Sequence, residues 1–230
     1  MKPKLLKSLV ESEKFGDISY QIGGELVPVL SIQLDGQKGV YFEHHIMLWK
    51  DTSINIGILP MKGTLKRLFA GMQIFVTKAE GEGEIAFSRD GAGHIFAIHM
   101  KCGEELHVRE HQFLAATEDI DYTFERVQGI SNMLLGGTGF FIDKFRCVGE
   151  EGILWLHGYG NVFEKKLEIG EQIDVEPGAW LYKDLSVGMQ TNITKISTGI
   201  FAASNIMMNR FTGPGRIGIQ SMSLYMNEGK

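Results

Sequence analysis

Val40-Tyr41-Phe42-Glu43-His44-His45-Ile46-Met47-Leu48-Trp49-Lys50-Asp51 aligns without a gap on Leu106 to Thr117 and again on Ile173 to Asp184, at shifts of 66 and 67 residues. A near-constant shift of that size marks a supersecondary unit copied in tandem. Two flanking blocks keep the same order. Phe69 to Phe75 falls on Leu135 to Phe141 and Phe201 to Met207, and Lys78, Gly81 and Ile85 fall on Arg146, Gly149 and Ile153, then on Arg210, Gly213 and Ile217. Small changes of shift between blocks place insertions where loops join strands.

The unit reads as β structure. Leu106 and Val108 alternate with His107 and Arg109, Tyr122 and Phe124 with Thr123 and Glu125, and Ile173 and Val175 with Asp174 and Glu176. A period of two puts one set in a core and the other in water. Asp35-Gly36, Asp90-Gly91 and Gly158-Tyr159-Gly160 supply the intervening turns. The expectation is an all-β fold of three tandem antiparallel modules, with pseudo-threefold symmetry and a likeness to a double-stranded β-helix. One domain, 15–223, divides at about 15–89, 90–155 and 156–223, with a tail at 224–230.

A unit of this length buries a thin core by itself, so the three should share one. Phe42, Val108 and Val175 are expected in equivalent inward positions, as are Met47, Phe113 and Trp180. These aromatics read as core filling rather than as a cofactor box.

Composition narrows the functional classes. A formal charge of −5 with scattered Lys and Arg argues against nucleic-acid binding, which needs a concentrated basic surface. Cys102 and Cys147 are the only cysteines and stand at non-equivalent repeat positions, so no disulfide framework is expected and the cytoplasm is the expected compartment. No apolar run is long enough to span a membrane. Residues 1–14 set Leu5, Leu6, Leu9 and Val10 against Lys4, Lys7, Ser8 and Glu11. That spacing predicts a short amphipathic helix packed on the body or on a neighbouring subunit, with peripheral contact to anionic lipid as its second reading.

The glycine runs Gly136-Gly137-Thr138-Gly139 and Gly213-Pro214-Gly215 lack the Lys-Ser/Thr and the downstream helix of a phosphate loop and read as turns. No Ser lies in a strand-turn-helix elbow, and the carboxylate pairs Glu104-Glu105, Glu118-Asp119 and Glu150-Glu151 fall where turns are expected. No catalytic or cofactor-binding residue is assigned. The histidines carry the remaining chemical hypothesis. His44, His45, His107 and His111 fall in one aligned stretch, assigned to strand, with His94 and His99 a strand away. His45, His111 and His99 are the candidate ligands for a divalent metal, with Glu43 or Glu110 completing a set that would suit iron, manganese or zinc. Adjacent strand residues point to opposite faces, however, so His44 and His45 cannot both reach one ion without a bulge.

Several stretches together resemble one family. Tyr20-Gln21-Ile22 through Leu34, Glu43 to Asp51, Leu65-Lys66-Arg67-Leu68, Gly81 to Phe87, Gly170-Glu171 to Tyr182, and Phe211-Thr212-Gly213-Pro214-Gly215 to Gln220-Ser221 are similar to the altered inheritance of mitochondria twenty-four family, over about residues 15–223. The first repeat departs from the pattern. His44-His45-Ile46 stand where the third keeps Pro177-Gly178-Ala179. The resemblance implies a fold like the tryptophan RNA-binding attenuator protein, whose small β subunits form rings, and it carries no catalytic residues. A trimer of three-module chains would make a ring of nine.

The expected function is that of a non-enzymatic, soluble, oligomeric binding or scaffold protein needing no cofactor. The alternative is a metal-dependent, cupin-like enzyme or small-ligand sensor using the histidines.

Overall fold

The computed structural model describes residues 2, 4–6, 10–43, 45–60, 75–127, 140–197 and 203–223. His44, the Leu65–Leu68 and Gly136–Gly139 motifs, most of the block aligned on Phe69–Phe75, and the 224–230 tail lie outside them.

All regular elements among the described residues are strands. The first stretch holds β1 (Lys4–Leu5), β2 (Val10–Phe15), β3 (Ile18–Gly23), β4 (Val29–Asp35), β5 (Val40–Phe42), β6 (Met47–Lys50), β7 (Asn55–Pro60), β8 (Phe75–Glu80) and β9 (Glu82–Phe87). The second holds β10 (Gly93–Lys101), β11 (Glu105–Arg109), β12 (Phe113–Thr117), β13 (Ile120–Val127), β14 (Phe140–Cys147) and β15 (Glu151–Tyr159). The third holds β16 (Val162–Leu167), β17 (Gln172–Val175), β18 (Trp180–Asp184), β19 (Gly188–Ser197), β20 (Ala203–Thr212) and β21 (Gly215–Gln220).

One antiparallel pairing scheme recurs in each stretch. β5, β11 and β17 pair with β8, β14 and β20. β7, β13 and β19 pair with the opposite edges of those same strands. β4, β10 and β16 pair with β9, β15 and β21, and these in turn pair with β6, β12 and β18. The last three pairs each carry a register shift at aligned residues, between Met47 and Trp49, Phe113 and Ala115, and Trp180 and Tyr182. A bulge of this kind bends the strand and re-aims the side chains beyond it.

The last residue of the aligned stretch repeats one interaction. The Asp51 and Asp184 carboxylates accept the N–H of Glu84 (2.8 Å) and Arg216 (2.7 Å), and the Thr117 hydroxyl accepts that of Ile153 (3.1 Å). Lys50 and Lys183 each donate to the carbonyl four residues on, Ile54 and Val187, both at 2.8 Å. Gly81 lies at φ +124 between β8 and β9, where a Cβ would stand 2.6 Å from the Ser53 carbonyl oxygen, so the turn requires glycine.

The repeats join through shared sheets. β5 pairs with β12, and β11 pairs with β18. One six-stranded sheet therefore combines β10, β15 and β12 of the second stretch with β5, β8 and β7 of the first. The seven-stranded sheet likewise combines β16, β21 and β18 with β11, β14 and β13, and β1 adds to its end. The remaining sheets are β2-β3-β4-β9-β6 and β17-β20-β19.

The interior is divided along the seams. Among the described residues, three apolar clusters form in place of one common core. One joins the first and second repeats around Leu30, Ile32, Phe42, Phe87 and Trp155; one centres on the second and reaches Val162, Leu181 and Tyr182 of the third; one lies mainly in the third around Trp180 and Phe211. A sheet shared by two repeats buries side chains between those two, and this splits the core. Phe42, Val108 and Val175 are all buried, as the alignment predicts. Met47, Phe113 and Trp180 are not alike, because Met47 is 37 % exposed while Phe113 and Trp180 are 4 % and 0 % exposed. Among the described residues β6 has no strand on its outer side, and its aligned residue loses its cover.

The predicted N-terminal helix is also corrected. Residues 4–5 pair with β16, and residues 10–15 form β2, which turns through Gly16 into β3. Tyr20 donates a 2.5 Å hydrogen bond to Glu13, which also meets His99 at 3.0 Å. Cross-strand partners outweigh the helical spacing of a short segment that would be marginal as a helix alone. No helix among the described residues is long and apolar enough to cross a membrane.

Candidate functional site

Among the described residues, no group of three or more His, Cys, Asp or Glu side chains gathers that could hold an ion. His45 and His111 stand in the turns before β6 and β12 rather than in strands, both exposed, and His111 has φ +65. His99, on β10, meets Glu13 and packs edge-on against Phe15 at 5.7 Å between ring centres. His107 bonds to Glu105 at 2.9 Å, and burial holds its ring below the ordinary histidine range.

Two other polar groupings sit at the seams. Arg89, buried, forms an ion pair with Glu43 and donates to the Phe113 carbonyl at 2.8 Å. Beside it lies buried His157, pushed down to about 4 by burial and then by the Arg89 charge. At the seam of the second and third repeats, a cleft of about 830 Å³ is lined by Lys101, Glu104, Glu105, Glu151, Asp184 and Arg216 among others. Within it Arg216 pairs with Asp184 at 2.9 Å, Glu105 meets His107 at 2.9 Å, and the Glu104 carboxylate accepts the backbone N–H of Lys101 at 2.8 Å. Neither grouping presents a nucleophile with a base.

Among the edge strands of the described sheets, two depart from the pairing of their repeat counterparts. Among the described residues β6 pairs only with β9, and β17 only with β20, although their counterparts β12 and β18, and β5 and β11, each pair on both sides. The surface at β6 is apolar. Leu48 and Trp49 are about half exposed, and Ile56 and Ile58 on β7 are exposed too. A row of unpaired backbone groups flanked by apolar side chains is a template for another strand.

The alignment gives each edge its register. Across the second seam, Leu106, His107 and Val108 lie opposite Asp184, Lys183 and Tyr182. Across the first, Val40, Tyr41 and Phe42 lie opposite Thr117, Ala116 and Ala115. The residues aligned with these sets are Ile173, Asp174 and Val175 on β17, and Asp51, Lys50 and Trp49 at β6. In the second seam two basic side chains face each other, and burial lowers Lys183 to about 8. The open edges instead carry Asp174 and Lys50, which are of opposite sign. The sequence places Trp49, Lys50 and Asp174 in aligned or alternating strands but assigns none of them to a site. Only the order of strands within each sheet reveals that their edges are uncovered.

Comparison with known proteins agrees with this architecture. No curated protein matches the chain. Among solved structures, the crystal structure of protein SPYM3_0169 from Streptococcus pyogenes superposes with a TM-score of 0.66 at 20 % identity, over 90 % of this chain and 94 % of that one. That likeness shows a shared fold. A family profile described as mitochondrial biogenesis AIM24 matches residues 20–222. With nearly the whole of the described β structure inside that match, the chain belongs to the mitochondrial biogenesis AIM24 family.

Proposed function

We propose that the protein is a non-enzymatic binding or scaffold protein whose copies join head to tail, β6 of one pairing with β17 of the next. The observation that carries this reading is the incomplete third seam. Two seams inside the chain combine three strands from each neighbouring repeat, while the half-sheets β4-β9-β6 and β17-β20-β19 stand apart with matching free edges. Joining them between copies would repeat the seam pairing a third time and leave neither of these two edges open.

Physical chemistry supports the pairing in three ways. It would cover Met47, Leu48 and Trp49, an exposed apolar row next to unpaired backbone. It would set Asp174 opposite Lys50, a cross-strand pair of opposite charge, which favours that register over a slipped one. And because the two edges differ, the contact is heterologous, so repetition of it closes a ring if the rotation permits and otherwise makes a filament. We favour a closed trimer of nine modules, in the manner of attenuator-like rings.

Multi-angle light scattering on the purified chain tests the reading. The expected mass is three times that of one chain, and Trp49→Asp should lower it to that of a single chain without changing the circular dichroism spectrum. A wild-type protein that stays a single chain at micromolar concentration overturns the proposal.

A further inference from the structure

We propose that Cys102 and Cys147 form a reversible dithiol pair that exchanges with small-molecule disulfides. They are the only cysteines of the chain, far apart in sequence, and both are free. The fold brings them together at one corner of the second repeat. Cys102 comes directly after the last residue of β10, and Cys147 is the last residue of β14.

Three backbone hydrogen bonds stack the turns that hold them. The Cys102 N–H donates to the Glu150 carbonyl (2.9 Å), the Gly103 N–H to the Cys147 carbonyl (2.9 Å), and the Cys147 N–H to the Glu104 carbonyl (3.0 Å). A hydrogen bond from the residue after Cys102 to Cys147 itself keeps the two Cα atoms within about 8 Å at full stretch. The near-right angle between a peptide N–H and the preceding Cα brings them closer, toward the span of about 4.4–6.8 Å that disulfides bridge. Gly103, at φ +86, lets the Cys102 turn reverse at that point.

The two thiols differ in a way that orders the chemistry. Cys102 is exposed, whereas Cys147 is buried and donates to the Gly149 carbonyl at 3.6 Å. Burial, and then the neighbouring Cys102, push the Cys147 thiol up. Cys102 is therefore the attacking thiol and Cys147 the resolving one. The Cys102 thiolate attacks one sulfur of oxidised glutathione, forming a mixed disulfide and releasing one glutathione thiolate. Cys147, after losing its proton to solvent, attacks the Cys102 sulfur and releases the second. Two protein thiols are oxidised, one glutathione disulfide is reduced, and the bond staples the β10–β11 turn to the β14–β15 turn.

The test treats the full-length protein with oxidised glutathione at pH 8, quenches with acid and digests it. The expected result is a Cys102–Cys147 linked peptide two hydrogens lighter than its parts, both thiols lost to alkylation, and full recovery with dithiothreitol. In Cys147→Ser the glutathione adduct on Cys102 should persist, its release slowing by about tenfold or more. A stable adduct on Cys102 of the wild type with Cys147 still alkylatable after denaturation, a Cys102 link between two chains, or two unmodified thiols would each overturn the proposal. The wild-type measurement decides even if Cys147→Ser folds poorly.

Discussion

Val108 on β11 lies opposite Tyr182 on β18, and the residues in the same repeat positions, Val175 and Trp49, lie on strands that have no partner on that side among the described residues. Within the chain the relation occurs twice, since Phe42 and Ala115 make it as well. The third occurrence has both halves and no join. This is the physical basis for reading the molecule as one part of a larger ring.

The aromatic stack of the second repeat should dominate its stability. Phe145 is fully buried, stacked on Tyr122 at 4.8 Å and against Phe113 at 4.9 Å between ring centres. Phe145→Ala is expected to cost about 3–5 kcal/mol in urea unfolding, because the surrounding strands cannot collapse into the space. A loss under about 1 kcal/mol would mean that this cluster is loosely packed.

Removing one half of the partly buried Arg89–Glu43 ion pair should hurt more than removing both. Glu43→Ala leaves the Arg89 guanidinium buried without its carboxylate, and about 3 kcal/mol of stability should be lost. The double variant Glu43→Leu with Arg89→Met should recover much of that. If the double variant is the less stable of the two, the pair contributes net stability and the expectation fails.

His157 makes stability depend on pH. Its folded-state value is pushed down to about 4, below the ordinary 6.5, so an unfolded chain takes up a proton that the folded chain refuses. Its contribution is level above about pH 6.5, and stability falls as pH drops from there toward 4, by about 3 kcal/mol in all. Burial is the main cause of this value; of the charged or titratable neighbours, Arg89 and His94 lower it further and Asp90 opposes them. His157→Gln should flatten the slope in chemical unfolding between pH 7 and 4.5, and an unchanged slope would assign it to other groups.

Much of the architecture was legible because the aligned stretch repeats three times and carries an alternating pattern. Phe42, Val108 and Val175 announce an inward position, and Asp51, Thr117 and Asp184 share the ability to accept a backbone N–H. Pro177-Gly178, aligned on His44-His45, marks a turn, and His45 and His111 stand in the matching turns of their own repeats. That turn signal outweighs the alternation that assigns the two histidines to strand. The N-terminal segment misled for a different reason. Its helical spacing is local, whereas the partners that make it strand, β16 and β3, lie elsewhere in the chain. The exposure of Met47 could not be read at all, because alignment shows that three positions are alike but not that one of them lacks a neighbour.

The most direct test of the central claim is a zero-length carbodiimide cross-link in a mixture of isotopically light and heavy chains. Carbodiimide joins an amine to a carboxylate only where the two touch. The edge-pairing account predicts a Lys50–Asp174 peptide containing one light and one heavy half, together with a trimeric mass by light scattering. A protein that yields no mixed-isotope Lys50–Asp174 link and scatters as a single chain contradicts it.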